Sequence, residues 1–411
     1  MTKVTKESGP PIGGHSASNW STPLTWGLVC ALAVLSWQAL TIHFNFQDNW
    51  TALFVTGEHF TVPPSLAAEH VWQAPKSDGW DGQFYHFIAH DPFLTGGMVR
   101  YTEAARLRYR RILIPAAAFL LATGQAGAID WAYRLVILLF FVLGTCWTAR
   151  LAKQYGRNPA WGLLFFFLPA AVASASRMAV DVGLCALVAA FVLYSGERRD
   201  SRKLYAVLVL AGLVRDTGLL LTAAYCLWVL AGKEQPLRKR VARAAVFGSA
   251  ALPTLAWYLY VYSRTPPYPG GASLSIPLSG LIDRFIHLIP YPFAPWFNLI
   301  IRSLDRLALM GILLAFVLAT TRHITERLKR PSGYAAILFV LLGLLLWHPG
   351  DWLDAIDYGR ILSPLLFLLA LEALETGSWL ALAPLGMELP RFGLQMGSQA
   401  WGIIKGIAGM Q

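Results

Sequence analysis

The sequence predicts an all-α, polytopic transmembrane helical protein, and three observations carry that reading. Apolar residues make up 56% of the 411-residue chain and charged residues only 14%. Apolar runs of roughly 15–22 residues recur along the whole length, close to the ~20 that a helix needs to cross a bilayer. These runs lack the period-two alternation of barrel strands, and in lipid only helices and closed barrels satisfy their own backbone.

The elements follow in order. Residues 1–23 form a polar segment with Lys3 and Lys6, read as cytoplasmic. Apolar segments near 24–44, 130–149, 159–175, 178–196, 204–214, 217–231, 242–262, 303–321, 333–347 and 359–375 predict about ten spans within one transmembrane domain, 24–375. The first is an anchor and not a cleaved signal, because no small-residue cleavage site follows it. Residues 45–129 form a large first outer loop bearing juxtamembrane helices. Within it, twelve helical residues from Ile112 to Thr123 would reach only about 18 Å, too short for a ~30 Å core. They read as a re-entrant or juxtamembrane helix.

Four short loops set the orientation. They carry Arg150, Lys153 and Arg157; Arg198, Arg199, Arg202 and Lys203; Lys233, Arg238, Lys239, Arg240 and Arg243; and Arg322, Arg327, Lys329 and Arg330. Placing all four in the cytoplasm obeys the positive-inside rule. It requires the stretch 203–233 to be a hairpin, since a single helix would bury Arg215 and Asp216 at mid-bilayer. A second outer loop, 263–302, is rich in proline and flanked by aromatics (Tyr268, Tyr291, Phe293, Trp296). Residues 376–411 read as a cytoplasmic or interfacial tail. Cys30, Cys146, Cys185 and Cys226 all sit in apolar runs and read as packing residues. The net charge of +11 is topological, so no nucleic-acid partner is inferred.

Charged groups recur at the outer ends of these spans, where they cost several kcal/mol (roughly) unless paired, solvated or used. They are Asp81, Arg110, Arg177, Asp181, Arg215, Asp216, Asp357 and Arg360. The densest motif runs Asp78-Gly79-Trp80-Asp81-Gly82-Gln83-Phe84-Tyr85, followed by Arg108-Tyr109-Arg110-Arg111-Ile112-Leu113-Ile114-Pro115. A carboxylate can take the proton of an attacking hydroxyl, and guanidiniums can hold phosphate oxygens in pairs. His86 and His90, spaced i, i+4 with Asp91 adjacent, suggest a metal pair, but no third ligand is apparent; an interfacial pair is the simpler reading. Arg177 and Asp181 share the same spacing and also fit a plain helix salt bridge.

The two motifs resemble the GT-C superfamily of membrane glycosyltransferases, nearest the bacterial cell-surface glycan enzymes and the GPI mannosyltransferase II type. The resemblance implies a multi-pass inner-membrane enzyme that moves a sugar, with inversion, from a polyprenyl-phosphate carrier to a glycan, lipid or protein acceptor outside the cytoplasm. It implies that Asp81 is the general base. Asp78, Tyr85, Arg108, Arg110, Arg111, Arg177, Asp181, Arg215, Asp216, His348, Asp357 and Arg360 are then candidate contacts to substrate. Some members use a divalent metal, which Asp81 and Asp181 would hold, and others use none; no cofactor is assigned. A transporter or flippase of lipid-linked or anionic solutes, and a non-catalytic partner in glycan assembly, are the alternatives.

Overall fold

The computed structural model describes residues 22–196, 200–267, 276–321, 324–346, 349–352 and 354–410. His348, Tyr268, Arg198, Arg199 and Arg322 lie outside them. The described chain is mostly helical, and its only strands are a two-residue parallel pairing of Thr56–Gly57 with Gln73–Ala74 in the first loop.

Four helical segments are long and apolar enough to cross a membrane: Pro23–Phe46, Ala126–Gln154, Leu237–Arg264 and Pro295–Thr321. Pro159–Phe167 and Pro169–Arg177 make a fifth if counted as one span broken by a 67° bend. Pro23–Phe46 turns Leu24, Leu28, Leu32 and Leu40 outward, a face suited to lipid. Its one buried amide, Gln38, donates to the Ala175 carbonyl at 2.9 Å and ties it to the broken pair.

Four helices within the predicted spans are too short to cross a ~30 Å core unaided. Asp181–Ser195, Ser201–Val214, Leu219–Ala231 and Pro331–Leu345 have 13 to 15 residues, about 20–22 Å of helix. Charged or turn residues end them early. Met178 adopts a left-handed conformation (φ 51°) that stops the preceding helix at Arg177, and the next begins only at Asp181. The hairpin at 215–218 is present. Tyr205 and Tyr225 both lie against Phe247, with ring centroids 6.3 and 4.6 Å away. One continuous helix would hold those tyrosines about 30 Å apart. Leu113–Leu121 is a nine-residue helix, too short to span.

Ala355–Thr376 is the central pillar, buried along nearly its whole length, so its charges face protein. Near one end Arg360 meets the carboxylates described below. Near the other, Glu372 binds Arg327 at 2.7 Å, Glu375 pairs with Arg330, and the Leu374 carbonyl accepts from Arg157. The 376–411 segment is not a tail apart from this body. Trp379–Ile407 is a 29-residue helix whose buried Arg391 binds Asp305 of Pro295–Thr321 at 2.7 Å. The sequence does not reveal this packing, because Glu388 and Arg391 are shielded by helices far away in the chain. Pro295–Thr321 likewise starts eight residues before the apolar run, because Arg302, Asp305 and Arg306 are carried on the same helix.

Candidate active site

Asp81 opens the helix Asp81–His90. The turn before it explains the motif's glycines. Gly79 has φ 68°, which a side chain would strain, and its backbone bridges to Thr56. Gln83 braces the turn, donating to the Asp78 carbonyl at 2.8 Å and accepting from the Gly57 N–H at 3.1 Å. At Gly82 an added Cβ would overlap the Arg177 carbonyl oxygen, so only glycine lets this helix approach the broken pair.

That approach gathers charges from five separate stretches of chain. The Asp81 carboxylate lies between Arg108 at 2.5 Å and Arg360 at 2.9 Å. Arg360 also reaches Asp181 and Asp357, each at 3.6 Å, and Asp181 pairs with Arg215 at the hairpin tip. Asp216 takes Arg110 and Arg111, each at 3.4 Å, and Arg111 donates to the Tyr85 hydroxyl at 3.0 Å. Arg177 does not pair with Asp181. The break at 178–180 removes the i, i+4 relation, and its guanidinium stacks over Trp80, 3.4 Å from the ring centre. Burial alone would push the Asp81 carboxyl up; Arg108 and Arg360 overcome that and hold it well below the usual carboxylate range.

Asp78 stays outside the cluster, its side chain exposed and bonded to His59 at 2.8 Å. His348 is beyond the described residues. Trp80 was not anticipated as a platform for Arg177; its place in the motif was the only hint.

The cluster brings together six guanidiniums (Arg108, Arg110, Arg111, Arg177, Arg215, Arg360) and the carboxylates of Asp81, Asp181, Asp216 and Asp357; Glu103 lies 3.2 Å from Arg108 and Asp354 acts on Arg177, so the charges balance. Among the described residues, Oδ1 of Asp181 and of Asp216 lack donors, while buried N–H groups lack hydrogen-bond acceptors at Nη1 of Arg177, at Nε and Nη1 of Arg360 and at Nε of Arg110, Arg111 and Arg215. Such groups are costly unless something accepts from them. An anion with several oxygens would do so. A divalent cation shared by Asp81 and Asp181 does not fit, because both carboxylates already face guanidiniums and the dication would sit among like charges.

No protein-family model, curated protein or solved structure matches the chain.

Proposed function

We propose that this protein is an integral-membrane, inverting glycosyltransferase of GT-C-like, ten-span topology, working on the extracytoplasmic side of the inner membrane. One observation carries the proposal: Asp81 is held between two arginines inside a buried, arginine-rich cluster with unfilled N–H donors. A polyprenyl-phosphate donor supplies the missing acceptor atoms. Its phosphate draws Arg108 and Arg360 away from Asp81, freeing the carboxylate to act as a base. Asp81 then takes the acceptor hydroxyl's proton as that oxygen bonds to the anomeric carbon. The bond from that carbon to the phosphate oxygen breaks, and its electron pair stays on the phosphate. The leaving phosphate gains negative charge, which the clustered guanidiniums stabilise where it develops. Two of the basic loops, through Arg157 and through Arg327 and Arg330, meet the far end of Ala355–Thr376, which fits a cytoplasmic side.

The test is transfer of labelled sugar from polyprenyl-phosphate donors in vesicles. Wild type should transfer; Asp81→Asn should bind donor and fail to transfer. Full turnover in the variant overturns the assignment.

A second reading, a carrier of lipid-linked anions, is favoured by two interruptions, the 67° break near Leu168 and the hairpin at 215–218. Broken helices line binding sites in transporters. Flux of a lipid-linked anion without any sugar transfer would select it.

A further inference from the structure

The other end of the Asp81–His90 helix carries a different cluster. His86 and His90 project one turn apart and meet Glu69, which ends the short helix Pro64–Glu69, and Asp130, in the first turns of Ala126–Gln154. Glu69 and Asp130 lie 17 and 44 residues from His86 along the chain, so spacing alone does not disclose the set.

The donor atoms are close and convergent. His86 Nε2 lies 2.9 Å from Asp130 Oδ1 and 3.2 Å from Glu69 Oε2. His90 Nε2 lies 3.4 Å from Glu69 Oε1 and 3.8 Å from Asp130 Oδ1. A tetrahedral zinc with ligands at 2.0–2.1 Å has ligand-to-ligand edges of about 3.3 Å. The four separations bracket that edge.

Their orientation is a second, independent observation. His90 Nε2 and Asp130 Oδ1 are buried and make no hydrogen bond despite their close neighbours. His90 is only 4% exposed at its side chain. His86 Nε2 and Glu69 Oε2, 3.2 Å apart, do align as a hydrogen bond, so the unpartnered atoms that face the shared centre are those of His90 and Asp130. Phe54 stacks flat on His86, centroids 4.3 Å apart and planes 8° from parallel, and covers one side of the imidazole. Two imidazoles with two carboxylates suit zinc and its neighbours, not magnesium or calcium, which prefer all-oxygen shells.

We infer that Glu69, His86, His90 and Asp130 form a four-ligand site for a zinc-class divalent metal that fastens the first loop to the Ala126–Gln154 helix. The site stands apart from the arginine cluster. Along the helix His86 and His90 lie five and nine residues from Asp81, about 8 and 14 Å of rise. The metal holds the far end of the helix that presents Asp81 and takes no part in proton or sugar transfer. The inference does not depend on the activity proposed above.

The experiment uses the full chain in detergent, stripped with chelator and reloaded with Zn²⁺ or Co²⁺ alone. Wild type should retain about one zinc per chain, melt higher with zinc than without, and give the visible bands of four-coordinate cobalt. Because His86 is buried and its loss endangers folding, the informative variants are Glu69→Gln and Asp130→Asn. Each keeps side-chain shape and should weaken zinc binding at least about tenfold, the scale that even an outer-shell change reaches. Asp81→Asn should load zinc as wild type does. A wild type that retains no zinc, or an Asp130→Asn variant that binds and melts as wild type does, overturns the site.

Discussion

The ten-residue helix Asp81–His90 ends in two clusters of opposite polarity. At its start a carboxylate sits among guanidiniums; at its finish two imidazoles sit among carboxylates. Both arrangements agree with the helix dipole, which favours negative charge at the N-terminus and positive charge at the C-terminus. They differ in what they lack. The Asp81 cluster has spare N–H donors on five of its arginines, which an anion would fill. The His86 cluster has spare lone pairs, so it calls for a cation. A helix with oppositely incomplete ends can be fastened at one and reactive at the other.

The largest test of that contrast is Asp81→Asn. Loss of a general base should lower kcat for sugar transfer by about 100- to 10,000-fold, read in vesicles, while zinc content stays unchanged. A variant that loses zinc as well would show that the two ends are not separable.

Next comes Arg360→Ala. Arg360 is buried and touches Asp81, Asp181 and Asp357. Its removal strands carboxylates and should destabilise the fold by about 3–5 kcal/mol, read as a lowered melting temperature in detergent. An unchanged melting temperature would mean that water reaches this cluster freely.

The pH profile sharpens the contrast further. Asp81 is held below its ordinary range by Arg108 and Arg360 in the free protein. Its ion pairs thus stabilise fully above about pH 4, the unfolded value, and weaken only as pH falls through the lower folded value. When donor phosphate draws the arginines away, the carboxyl rises. The acid limb of kcat, which reports the complex, should lie about one to three pH units above that of kcat/KM, which reports the free enzyme. Coincident limbs would count against the exchange of partners.

Smaller effects follow. Trp80→Ala removes the surface under Arg177 and should raise the donor KM by about tenfold, the worth of a partly desolvated cation–π contact. Asp78→Asn should change transfer by less than about twofold, as for most exposed substitutions. A larger loss would restore Asp78 to the site.

These residues also show how much was legible beforehand. Asp181, Arg215, Asp216 and Arg360 stood out because each interrupts or borders an apolar run, where an unpaired charge is costly, and Asp81 because of its motif. Glu69 and Asp130 were passed over. One lies in a polar loop and the other at a helix start, where carboxylates are ordinary, so His86 and His90 lacked visible partners. The expected Arg177–Asp181 pair failed at a local detail, the left-handed Met178. Arg391 and Asp305 were missed because their burial depends on which helices pack together.

Lipid imposes a one-dimensional demand, since each crossing segment must satisfy its backbone and hide its charges within itself. Helical class, apolar runs and the suspicious charges were therefore determined by local sequence. Which carboxylate meets which guanidinium, where helices break, and which four donors share a centre depend on contacts between residues far apart in the chain. Only tertiary packing decides those, because the energy of a buried charge belongs to its partners and not to its neighbours in sequence.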